Sequence, residues 1–221
     1  MKGLLYKDWV LIRKMGLQAL IPLVVGIIIL YSGEDKYFFI AYTSMVGFLS
    51  IISTITYDEY DNGMPMLLSL PYTRQDYVRA KYLLAGLAML VLLIVEVSLI
   101  SGMAALKGIE NFVFLDNFLE IVVVLSLASI ICWILIPVQL KYGAKKSMLA
   151  IVIVGGIVFI AGLGIAFLVK KYDLLNTARL KYILDFLAND WNVFFILSIT
   201  MATFMGLSYL ISTKVMQKRE Y

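Results

Sequence analysis

Histidine is absent from the 221 residues, cysteine occurs once, proline four times, and charged side chains make up only 15%. Without histidine the chain lacks the usual general base and the commonest imidazole metal ligand. The single cysteine, Cys132, sits in an apolar run, which excludes an intrachain disulfide and a cysteine metal cage. Phosphate-loop and dinucleotide-binding motifs are missing too. The chain is therefore poorly equipped for hydrolytic or metal chemistry of its own. What replaces charge is hydrocarbon: 62% of the residues are apolar or aromatic and the mean hydropathy is +0.92. Soluble domains average about 45–50% apolar and about 25% charged, and a chain of about 150 residues buries only roughly 70% of its surface. That excess of apolar surface calls for a bilayer.

A hydrocarbon core of about 30 Å needs roughly 20 helical residues. Met15–Gly33, Tyr37–Tyr57, Ile121–Leu140, Ser147–Val169 and Trp191–Thr213 are free of charge, and Tyr82–Leu106 carries only Glu96. The expectation is an all-α polytopic membrane protein, one transmembrane domain over 1–221 with six transmembrane helices. Alternating ten-residue strands, the mark of a barrel, are absent. The first run follows a charged, aromatic stretch and lacks a good small-residue cleavage site, so it reads as a retained helix and not a signal peptide.

Basic residues near helix ends set orientation. Thirteen fall on one side, in the N-terminal stretch, between Arg74 and Lys81, between Lys141 and Lys146, and after Lys214; six fall on the other. Both termini are expected to be cytoplasmic. The net charge of +4 follows from that bias and needs no nucleic-acid partner.

Three segments between spans can hold structure. Residues 1–14 place Leu5, Trp9 and Ile12 on one face and Lys7 and Lys14 on another, the pattern of a helix lying in the headgroup region. Residues 170–190 predict a short external amphipathic helix, with Leu175, Tyr182 and Phe186 on one face. Between spans two and three, Asp58–Lys81 opens on three carboxylates in four residues and continues into an apolar patch cut by Pro65 and Pro71. Met64, Leu67 and Leu68 share a helical face, Asn62-Gly63 gives a turn or cap, and Pro65 suits a first helical turn. Such a patch in a cytoplasmic loop packs either on the protein's own helices and the membrane surface or in a partner.

Within the spans, a carboxylate at the position of Glu96 costs about 2.5–3.5 kcal/mol to insert. It either lines a substrate path or makes a structural hydrogen bond to a neighbouring helix, with Ser98 and Ser101 as candidate sharers. Gly155, Gly156, Gly162 and Gly164 point to close helix approach in the fifth span. Pro22 and Pro137 are expected to kink their helices.

The basic amphipathic start MKGLLYKDW, the six spans and YDEYDNGMPMLLSLPYTRQDYVRAKY together resemble the ABC-2 family of ABC-transporter permeases, most of all the small bacterial permeases of phenol-soluble-modulin and antimicrobial-peptide exporters. The resemblance implies a coupling helix within residues 58–76 that sits in a cleft of a separate ATP-binding subunit. It carries over onto Glu59, Asp61, Gly63, Met64, Leu67, Leu68, Pro71 and Arg74. It also implies that Lys2–Lys14 is an elbow helix along the membrane surface, that the permease works as a homodimer or heterodimer, and that ATP and Mg belong to the partner ATPase. This chain is expected to bind no cofactor and to catalyse nothing itself. An amphipathic, often cationic peptide is the implied substrate, with Glu96 on its path, and a bacterial cell membrane the implied location. A stand-alone carrier fits less well, since the halves show no repeat and only one deep charge. An immunity subunit without transport is a further class. An intramembrane enzyme lacks the histidines or clustered acids it would need.

Overall fold

The computed structural model describes residues 2–32, 36–60, 63–108, 113–171 and 190–219, with the side chains of 15–20 and of most of 144–190 left aside. The described chain is helical throughout, with no strand: α1 (Lys2–Ser32), α2 (Lys36–Glu59), α3 (Gly63–Leu68), α4 (Arg74–Leu106), α5 (Phe114–Lys171) and α6 (Asp190–Lys218). Local sequence explains several boundaries. Thr73 is extended (φ −83°, ψ 154°) and caps α4: its hydroxyl accepts from the Asp76 N–H at 3.1 Å, and the Asp76 carboxylate accepts from the Thr73 N–H at 3.2 Å. This reciprocal box satisfies two amides that the helix start leaves open. At the far end, Gly108 turns the chain at φ +63°.

Four helical stretches among the described residues are long and apolar enough to cross a membrane: Lys36–Glu59, Arg74–Leu106, Phe114–Gly143 and Trp191–Lys218. α4, with 33 residues, is about 50 Å long. It outreaches the hydrocarbon by several turns, so its first turns stand outside.

The helices run between two ends of a bundle, marked by the contacts there. At one end the start of α1 meets the end of α2 and the start of α4 through Asp8, Asp58 and Lys81, and the end of α6 meets Glu59 and Leu140 through Arg219. At the other end Lys107 donates to the final carbonyls of α1, Leu30 and Tyr31 (3.3 and 3.1 Å). There Lys36 also pairs with Glu120 and donates to Asn117, while Tyr37 donates to Glu120 at 3.0 Å. The first group gathers the segments expected on the cytoplasmic side, and the second those expected outside. α2 is the hub, packed on α1, α4 and α5, and α6 packs on α5 and α4. A large apolar core fills the first end, with Phe48, Ile55, Tyr77, Leu125, Trp133 and Ile136. A smaller one, with Leu30, Phe39, Ile40, Ile100 and Ile121, fills the second.

Three expectations change. Residues 2–14 do not form a helix of their own but run unbroken into α1. Their inward face is also set one step round: Leu4 and Asp8 are buried while Trp9 is 61% exposed, and Leu5 and Ile12 pack partly on the core. The reason is that Asp8 finds a buried cation. Helical dihedrals continue through Pro137, and α5 turns instead at Gly143 (φ +71°, ψ 175°), a backbone state open to glycine and almost nothing else. A Cβ at Gly156 or Gly164 would meet nothing within 4 Å, so no close approach is made there among the described residues. The expected external helix over 170–190 falls almost wholly outside the described residues.

Candidate functional site

The end of the bundle that collects the basic segments also carries α3. Gly63 opens this helix where a Cβ would stand 2.9 Å from the Asp58 carbonyl oxygen; only glycine permits α3 to lie so close under the end of α2. Met64 then inserts into the core at 1% exposure, and Leu67 and Leu68 lean on the same core. Met66 and Leu70 face away, 78% and 51% exposed. Helical periodicity thus splits the apolar run: Met64 anchors α3 to its own bundle, Leu67 and Leu68 sit at the boundary, and Met66 and Leu70 project. Met64, Leu67 and Leu68 do share a face, but that face is turned onto the bundle and not outward to a partner; Met66, about 200° round the helix from Met64, is on the projecting side. Pro71 is exposed and separates α3 from the capped start of α4. Asp61 lies outside the described residues.

Directly behind α3 is a charge cluster whose members come from three separate helices. Lys81 is 1% exposed. Its ammonium donates to both oxygens of Asp8 (2.9 and 2.8 Å) and to Thr54 (3.0 Å), and it lies 2.8 Å from Asp58. Asp58 is further held by Lys7 and by the Tyr77 hydroxyl, which donates to it at 2.9 Å. Lys7 also reaches Asp8 at 3.3 Å, and the Lys81 ammonium stands 5.3 Å from the centre of the Tyr77 ring. Two cations and two anions cancel, and the lysine's three protons all have acceptors. Burying such groups is costly unless they are fully paired, and here they are. The cluster pins the starts of α1 and α4 to the end of α2, the three helices that frame α3.

Glu59 and Arg74 also have structural partners. Arg219 pairs with Glu59 and donates to the Leu140 carbonyl at 2.6 Å, over the turn at Gly143, where an added Cβ would meet both side chains within 2.9 Å. Arg74 donates to the carbonyls of Met216 (3.1 Å) and Gln217 (2.8 Å). It thereby satisfies acceptors that the last turn of α6 leaves open, with a cation at the negative end of a helix. Both residues tie α6 to the base of α3.

Glu96 is fully buried between α4 and α2. Thr43 and Ser44 each donate to its Oε1 at 2.8 Å, while Oε2 has no partner among the described residues. Ser98 and Ser101 turn back to carbonyls of their own helix. Of the two readings left open, the geometry is that of a polar tie between helices. Glu96 lines none of the described cavities.

Lys7 with Asp8, then Asp58, then Lys81 escaped sequence reasoning because gaps of 50 and 23 positions separate them and each reads singly as a surface charge. The available signal was their shared position at span ends on one side.

The family model described as ABC-2 family transporter protein matches residues 3–217. No curated protein and no solved structure matches the chain.

Proposed function

This chain belongs to the ABC-2 transporter family, and from that premise we propose that it is the membrane-spanning permease subunit of an ATP-driven exporter, coupled through α3 to a separate ATP-binding subunit. The family is one of multi-pass transport subunits that act with an ATP-binding partner. The observation that carries the proposal is the division of α3 into an anchored and a projecting side: Met64 and Gly63 fix the helix to the bundle, while Met66 and Leu70 stay exposed at the end where basic segments gather. That basic bias assigns this end to the cytoplasm, where ATP is. The charge cluster behind α3 makes the starts of α1 and α4 and the end of α2 one unit. Displacement of α3 by closing ATP-binding domains then moves these helices together. Only the exposed side of α3 is available to a partner, so docking rests on Met66 and Leu70, with Leu67 and Leu68 at the edge; Glu59, Gly63, Met64 and Arg74 shape the platform.

The proposed topology is six spans with both termini cytoplasmic, since the helix that follows Gly143 must return the chain to the opposite end before α6 begins. The proposed setting is a bacterial cell membrane and a dimer of permeases, and the proposed cargo an amphipathic peptide. The resemblance supports this cargo, and so does the sequence of the spans, in which Glu96 is the one charged residue.

Co-expression with the candidate ATP-binding subunit tests the coupling. Met66→Asp with Leu70→Asp should abolish co-purification and export while leaving the purified permease folded, because neither side chain is in the core. Undiminished co-purification with that double variant would overturn the docking role of α3.

A further inference from the structure

The groove between α5 and α6 has a chemistry that neither coupling nor helix packing uses. It encloses about 420 Å³, within the roughly 300–1,000 Å³ of ligand clefts. Its wall is hydrocarbon, with Trp133 and Pro137 from α5 and Leu207 and Ile211 from α6, and it ends in Lys141 and Tyr142. From Lys141 to Trp133 is about 12 Å along the helix, so an apolar trough runs inward from one cationic end. Several cations at this end of the bundle have partners, Lys7 and Lys81 in Asp8 and Asp58, Arg219 in Glu59, and Arg74 in the α6 carbonyls; Lys141 is set apart by standing at the end of the groove itself. Lys141 has no carboxylate at ion-pair distance among the described residues and rests 5.2 Å from the centre of the Tyr142 ring. Lys214, exposed beside the groove residue Val215, adds a second positive charge nearby.

We propose that this groove holds an anionic phospholipid of the surrounding bilayer, its phosphate at Lys141 and an acyl chain lying against Trp133, Pro137, Leu207 and Ile211. Charge decides the occupant. A cationic amphipathic peptide would bring like charge to Lys141, and a second copy of the same face would set Lys141 against Lys141. A phospholipid supplies one negative group at the interface and hydrocarbon beyond it. Basic pockets between spans are recurrent sites for acidic headgroups.

The chain has three tryptophans, Trp9, Trp133 and Trp191, and the first and last are exposed. The full chain with Trp9→Phe and Trp191→Phe, reconstituted in vesicles, leaves Trp133 as the reporter. Phosphatidylglycerol with brominated acyl chains should quench it at about one-fifth the mole fraction that identically brominated phosphatidylcholine requires, the factor for one basic side chain near an anionic headgroup. Lys141→Gln should equalise the two lipids, and Ile211→Phe should weaken quenching by both. Equal quenching by the two lipids in the chain that retains Lys141 would overturn the proposal. So would the absence of quenching by either, the result expected if a second copy covers the groove.

Discussion

Replacing Lys81 with methionine removes one charge from a buried neutral quartet while keeping length and apolar volume. The consequence follows from what remains. Asp8 and Asp58 are nearly inaccessible, and only Lys7, itself partly exposed, is left to compensate two carboxylates. Removing one partner of a buried pair costs about 3–5 kcal/mol, because the other charge is stranded. For a chain of this size each kcal/mol lowers Tm by about 2–4 °C, so Lys81→Met should lower it by on the order of 10 °C. Thermal unfolding of the purified protein in one detergent, followed by helical circular dichroism, reads this directly. The companion Asp8→Asn with Lys81→Met removes one charge of each sign and leaves Asp58 with Lys7 and Tyr77. It should recover a good part of the loss, a coupling of about 2 kcal/mol in a double-mutant cycle. A Lys81→Met protein that melts within about 2 °C of the parent would refute the inference that the quartet is tightly packed.

Three further outcomes follow. Thr43→Val with Ser44→Ala strips both donors from the buried Glu96 carboxyl and should cost about 1–3 kcal/mol in the same melting assay; Glu96→Gln keeps an acceptor oxygen for them and should cost less, and equal losses would contradict the tie between α2 and α4. Gly143→Ala imposes a Cβ on a backbone at φ +71° beside Glu59 and Arg219 and should destabilise by about 1–3 kcal/mol from strain alone, whereas Gly156→Ala, in open space, should be nearly neutral or stabilising. With Cys132 buried, cysteines at Lys218 and at Lys107 should divide in labelling: a membrane-impermeant thiol reagent should reach position 107 in intact cells and position 218 only after permeabilisation, and the reverse pattern would invert the proposed orientation.

How far the sequence could be read depended on the range of the forces involved. Runs such as Tyr37–Tyr57 and Trp191–Thr213 declare themselves because hydropathy is summed along the chain, and the helices found there match. The opening of α3 at Gly63 was equally local, and so was the Thr73 cap, which its Thr-x-x-Asp spacing could have signalled and the sequence reading missed. Side choice on a helix was not. Trp9 was assigned to a face by apolar spacing, which treats all hydrocarbon alike, while the actual rotation was set by a distant cation for Asp8; Met64, Leu67 and Leu68 keep the shared face their spacing implies, but only the fold shows it turned onto the core. The Lys81 cluster lay beyond any linear reading. Lys7 and Lys81 served to fix orientation, a role that presumes them solvated, and only the fold shows them paired. Arg74 and Glu59 were carried over from the resemblance as partner contacts, and the groups they pair with in the fold lie 142 and 160 residues away.

The most direct measurement is contact at the exposed side of α3 itself. Met66→Cys, labelled with a photoreactive maleimide on the otherwise buried-thiol chain and irradiated in membranes containing the candidate ATP-binding subunit, should yield a covalent adduct with that subunit. Label at position 66 that joins only lipid or the permease's own helices would contradict the claim that α3 engages a motor protein.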